Sequence, residues 1–120
     1  MQLHELEAWL GDGSLRLTAD QLNELLRTAD EISERYPDPD DQIERDAALS
    51  TAYQLMATDQ DVVEGLARER DAAKNAELQA LAGLRQAAVI LIPRGDATEY
   101  GFAKKTGIDR MTVRRWLGKR

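Results

Sequence analysis

Thr98-Glu99-Tyr100-Gly101-Phe102-Ala103-Lys104-Lys105-Thr106-Gly107-Ile108-Asp109-Arg110-Met111-Thr112-Val113-Arg114-Arg115-Trp116-Leu117 is the stretch on which the fold of the C-terminal part turns. Its spacing predicts two short helices crossing steeply about a turn. The first helix needs a small side chain where the second crosses it, and Ala103 stands there. Gly107, four residues on, supplies the positive φ that the turn demands. Ile108 follows as an apolar plug. Asp109 is placed to cap a second helix running from about Asp109 to Leu117. Val113 and Trp116, at i and i+3 with Leu117 beside them, form its inner face, and Phe102 faces them from the first helix. Asp96 or Thr98 can start that first helix, Asp96 standing at capping-box distance from Glu99.

With Val113 and Trp116 turned inward, Arg110, Met111, Arg114 and Arg115 are left outward or flanking. The order Ala103, Gly107, Ile108, Val113, Trp116 resembles the helix-turn-helix motif of phage repressors, of the lactose-repressor type and of resolvase-like DNA-binding ends. The half from Gly107 to Leu117 resembles small actinobacterial and phage helix-turn-helix proteins in particular. The resemblance covers residues 98–117, or 78–120 if Leu78–Ile92 is the supporting first helix of a three-helix domain. It implies a recognition helix in the major groove of double-stranded DNA. Arg110, Met111 and Arg114 would then meet base edges, since arginine can bind guanine bidentately and methionine can touch a thymine methyl. Thr112, Arg115, Lys104, Lys105, Lys119 and Arg120 would reach phosphates.

The charge distribution sharpens this expectation. The chain of 120 residues has a net charge of −6, which on its own argues against a nucleic-acid partner. Residues 1–77, however, carry −12 and residues 78–120 carry +6. An acidic body joined to a basic end is the pattern expected of a DNA-facing terminus, and at physiological salt the acidic part is screened beyond ~8 Å.

The acidic region, 1–77, matches no family pattern and reads as helical. Leu3, Leu6 and Leu10 are spaced for a helix that Gly11-Asp12-Gly13 stops. Thr18 and Gln21 form a capping box opening a second helix that reaches about Arg35, with Leu22, Leu25, Leu26, Ala29 and Ile32 as its apolar stripe. Tyr36-Pro37-Asp38-Pro39-Asp40 breaks the chain, and Asp38 or Asp40 can cap the next helix. From Asp40 to Ile92 there is no proline. Leu49, Ala52, Met56, Val63, Leu66, Ala73, Ala80, Leu84, Ala87 and Leu91 recur at spacings of three and four, interrupted by Asp59, Arg70 and Glu77. Either two helices, with a break near Thr58-Asp59-Gln60-Asp61, pack within one small bundle, or one long helix runs through and its second half, roughly residues 60–80, pairs with a partner chain.

The chain has no cysteine and a single histidine, His4. Thiolate metal sites and histidine-based nucleophilic sites therefore lack material. The acids at Asp38, Asp40 and Asp41 lack the spacing and central glycine of a calcium loop. The expectation is an all-α, non-enzymatic, cofactor-free protein: an acidic helical or coiled-coil region, 1–77, followed by a helix-turn-helix domain, 78–120. A lone module of this size has a small contact area, so a homodimer through the helical region is expected, with the acidic part also open to a protein partner. No leader-like run opens the chain, which points to a cytoplasmic, nucleoid-associated regulator of transcription or a phage or plasmid accessory factor. The competing expectation is a helical scaffold whose basic end docks an acidic protein.

Overall fold

The computed structural model describes residues 1–119. It is all-α, with six α-helices and no strand among the described residues. The chain divides into two compact units, Met1–Leu66 and the residues from Ala67 on, so the division falls inside a helix. The change in charge at 77/78 lies further along that same helix. No helix among the described residues is long and apolar enough to cross a membrane.

In the first unit, α1 (Leu3–Leu10) ends where Gly11 takes φ 57°, and a 3-10 turn over Gly11–Arg16 comes next. α2 (Ala19–Arg35) opens with the expected capping box. The Gln21 amide donates to Thr18 Oγ1 at 3.1 Å, and the Thr18 amide donates to Gln21 Oε1 at 2.9 Å. The α2 stripe buries Leu25, Ala29 and Ile32 against Leu6, Leu17 and Leu49, with Leu22 and Leu26 at the margin. Leu6 and Leu25 are wholly enclosed, and each contributes roughly 1.5–3 kcal/mol through burial.

The Pro37–Pro39 break is closed by a side chain from the next helix, α3 (Gln42–Ala57). Arg45 donates to the Tyr36, Asp38 and Pro39 carbonyls at 2.6, 2.7 and 3.3 Å, and the Asp38 carbonyl also accepts from the Asp41 amide at 3.0 Å. Asp38 accepts from the Asp40 amide at 2.9 Å and starts a 3-10 turn, whereas Asp41, at the entry to α3, makes no side-chain cap. Farther along α3, the Tyr53 hydroxyl donates to the Gly13 carbonyl at 2.9 Å. A β-carbon at Gly13 would stand 2.9 Å from that hydroxyl, so this contact needs glycine.

The run from Asp40 to Ile92 is broken, not continuous. α3 stops at Ala57, and Thr58 is extended. Thr58 Oγ1 accepts from the Gln60 amide at 2.9 Å, and the Asp61 carboxylate accepts from the Glu64 amide at 3.0 Å. Short polar side chains thus take over the backbone donors. α4 (Val62–Leu91) is then a single helix of 30 residues, about 45 Å long. It begins well before the Leu78 expected for the first helix of the C-terminal group. Every residue from 63 to 83 is exposed. Val62 is buried at its start, and its last two turns enter a core in which Ala88, Phe102 and Val113 are buried and Leu84, Ala87, Ile92, Ala103, Ile108, Trp116 and Leu117 pack around them. The remaining helices of this unit are α5 (Glu99–Thr106) and α6 (Arg110–Trp116).

Candidate nucleic-acid interface

Thr98, not Asp96, caps α5. Its hydroxyl oxygen accepts from the Gly101 amide at 3.0 Å, and Gly101 has room for that cap because a β-carbon there would stand 3.0 Å from the same oxygen. Asp96 instead pairs with Arg94 at 3.0 Å in the loop before the helix, so the expected Asp96–Glu99 box does not form. α5 ends at Gly107, which takes φ 74° and donates its amide to the Ala103 carbonyl at 2.9 Å. This is the left-handed turn required by the spacing.

The residue after the turn departs from expectation. Asp109 occupies the position before α6 but makes no side-chain capping bond. Thr106 holds the turn in its place. Its hydroxyl donates to the Phe102 carbonyl at 2.8 Å and accepts from the Ile108 amide at 3.2 Å. A threonine bonding back to the carbonyl four residues earlier still has lone pairs for the next free amide, so one side chain serves both sides of the turn.

Five of the six anticipated core residues of the motif lie in or against one core, Phe102 and Val113 buried with Ala103, Ile108 and Trp116 half-buried around them; the sixth, Gly107, stands exposed at the turn. Val113 is wholly enclosed. That arrangement sets the outer face of α6. Arg110 and Met111 are exposed, as are Lys104, Lys105 and Arg115. The Lys104 ammonium lies 6.0 Å from the Tyr100 ring centre, at the outer limit of a cation–π contact. Arg115 donates to Thr112 Oγ1 at 2.9 Å, which leaves the Thr112 hydroxyl half-buried beneath the guanidinium. Arg120 lies outside the described residues.

Two of the anticipated contact residues, Arg114 and Lys119, are hydrogen-bonded to one carboxylate. The Glu99 carboxylate, only 12 % exposed, accepts from the Arg114 guanidinium at 2.9 Å and from the Lys119 ammonium at 2.6 Å. Arg110 Nε lies 3.9 Å from the same carboxylate, but its side chain is 59 % exposed. Arg114 is therefore a brace between α5 and α6 and not an outward group like Arg110. Lys119 donates its hydrogen bond from beyond α6. The Lys119 hydrogen bond, then the Arg114 hydrogen bond and both positive charges, hold the Glu99 carboxyl below the ordinary carboxylate range, against a partial burial that works the other way.

The sequence marks Glu99 only as a helix-opening acid. Its three cationic neighbours lie 11, 15 and 20 positions away, beyond any local spacing rule. The second unit thus exposes Lys104, Lys105, Arg110 and Arg115, with the carboxylates of Glu99 and Asp109 near them. No family model matches the chain, and neither the comparison with curated proteins nor that with solved structures gives a match.

Proposed function

We propose that the chain binds double-stranded DNA sequence-specifically, laying α6 in the major groove as a helix-turn-helix protein does, in the service of transcription control or of phage or plasmid maintenance. The observation that carries this is the left-handed Gly107 between α5 and α6, together with the Phe102–Val113–Ala88 core, which leaves Arg110 and Met111 outward on a basic face.

Roles within that face follow from the geometry. Arg110 and Met111 are the base-edge candidates, being exposed on the first turn of α6. Lys104, Lys105 and Arg115 suit phosphates. Arg114 aims α6 through Glu99 and does not itself read a base. A scaffold that docks an acidic protein would need no such division between aimed and braced arginines.

The test is selection of bound sequences from random duplex DNA by the full chain, beside the Arg110→Ala, Met111→Ala double variant. The wild type yields a defined site. The variant keeps its helical circular dichroism and loses the preference. No duplex retained at 50 mM salt, or an unchanged preference in the variant, would overturn the proposal.

A further inference from the structure

α4 leaves an amphipathic surface without a partner in its own chain. Val63, Leu66, Arg70, Ala73, Glu77 and Ala80 fall on one face at alternating spacings of three and four, the period of a coiled-coil seam. All are exposed. Midway along, Arg70, Ala73, Lys74 and Glu77 line a hollow of about 400 Å³. These are residues i, i+3, i+4 and i+7, the four-residue hole that receives a knob from a facing helix. Among the described residues, neither Arg70 nor Glu77 has an ion-pair partner within the chain. Two unpaired opposite charges therefore stand in an otherwise apolar or small-residue seam.

We infer that this face pairs with α4 of a second copy, antiparallel, about a two-fold axis near Asn75. Charge within the core layers favours one direction. A parallel pair sets Arg70 against Arg70 and Glu77 against Glu77 in layers on either side of Ala73, both repulsive. An antiparallel pair brings each Arg70 beside Glu77 of the other copy, forming the same ion pair twice. Volume agrees in this register. Arg70 lies over Ala80 and Glu77 over Ala73, so each long polar side chain faces a methyl group. The contact spans about five turns and on the order of 1,000 Å², at the lower edge of specific interfaces, so the dimer is weak and concentration-dependent.

The arrangement deepens the DNA-binding proposal and rests on it for its purpose. Ala88, the buried anchor of the second unit's core, lies 13 residues from Asn75. The two anchors are then about 40 Å apart along the pair, close to the ~34–36 Å between half-sites one turn apart on DNA.

Sedimentation equilibrium of the full chain without DNA tests the pairing independently of any DNA readout. The wild type approaches twice the 13.4 kDa chain mass at high protein concentration. Arg70→Glu and Glu77→Arg each raise the dimer Kd at least tenfold, and the two changes combined restore it, with helical content unchanged throughout. Direction is read by disulfide trapping, since the native chain has no cysteine. Lys74→Cys, beside the axis, cross-links to itself, whereas Ala80→Cys does not, because its two copies lie about 15 Å apart along the pair. A wild type that stays monomeric, a double variant that fails to recover, or efficient Ala80→Cys cross-linking would overturn the inference. Loss of DNA selection with the dimer intact would instead count against the DNA reading alone.

Discussion

On the proposed DNA-binding reading, Glu99→Gln separates the cations that DNA would recruit from those the chain keeps for itself. Six described basic side chains belong to the α5–α6 region: Lys104, Lys105, Arg110, Arg114, Arg115 and Lys119. Two of them, Arg114 and Lys119, sit on Glu99 at 2.9 and 2.6 Å. Each phosphate neutralised contributes about −0.9 to the slope of log K against log salt, so the four cations per chain that make no hydrogen bond to Glu99 give a slope of about −3.6 and all six give about −5.4. Between 50 and 200 mM salt, affinity then falls about 150-fold in the first case and about 1,800-fold in the second. The wild type follows the shallower line. Glutamine keeps the shape and loses the charge, so the variant moves toward the steeper line and binds more tightly at low salt. Fluorescence anisotropy with a labelled duplex across five salt concentrations reads both slopes. Identical slopes would show that the cations on Glu99 take no part in the DNA face. A wild-type slope already near −5.4 would show that phosphate displaces the carboxylate, and the division into braced and recruited cations would fall.

Other outcomes rest on single contacts. Val113→Ala deletes fully buried volume and is expected to cost about 2 kcal/mol, read as a lowered thermal midpoint; a change within error would mean that α6 is not held by this core. Gly107→Ala meets no atom within 4 Å but forces an L side chain to φ 74°, so a loss of about 1–2 kcal/mol is expected from conformation alone, with Gly107→Asn costing less in the same melts. Tyr53→Phe removes the bond to the Gly13 carbonyl and is expected to cost about 1 kcal/mol in urea denaturation. Because the folded chain depresses the Glu99 carboxyl, its contribution is present in full above the ordinary carboxylate range and is lost as pH falls through the lowered folded value. The difference in thermal midpoint between wild type and Glu99→Gln is therefore expected at neutral pH and should close at strongly acidic pH; a gap that persists there would assign the effect to something other than ionisation.

Features set by local chemistry were legible in the residues. The Thr18–Gln21 box, the stop at Gly11 and the left-handed Gly107 each depend on neighbours within a few positions, and the structure shows all three. Alternation of apolar spacing brought Phe102, Val113 and Trp116 together correctly. Spacing failed where two local solutions compete. Asp96 and Thr98 can both open α5, and only the folded loop shows Asp96 taken by Arg94. Asp109 has the right chemistry for a cap but makes no side-chain capping bond, and the turn is held by Thr106 on the Ile108 amide. The apolar rhythm from Leu49 to Leu91 runs straight across the break at 58–61, because a three–four pattern survives a short interruption while the backbone does not. The pairings made by Glu99 and Arg45 were invisible for a different reason. Each joins segments that only tertiary packing brings into reach, and an acid or an arginine on a helix surface carries no mark of its eventual partner.

The left-handed turn at Gly107 also narrows what mutation can do there. Apart from glycine, only asparagine and aspartate settle readily at such a φ. No glycine codon becomes an asparagine codon by a single base change. Aspartate is one step away, yet it would set a new negative charge against the negative, carbonyl end of α5. The accessible genetic neighbours of this position thus trade either backbone comfort or electrostatic fit, so a lineage that keeps this turn is held to glycine by codon structure as well as by stereochemistry.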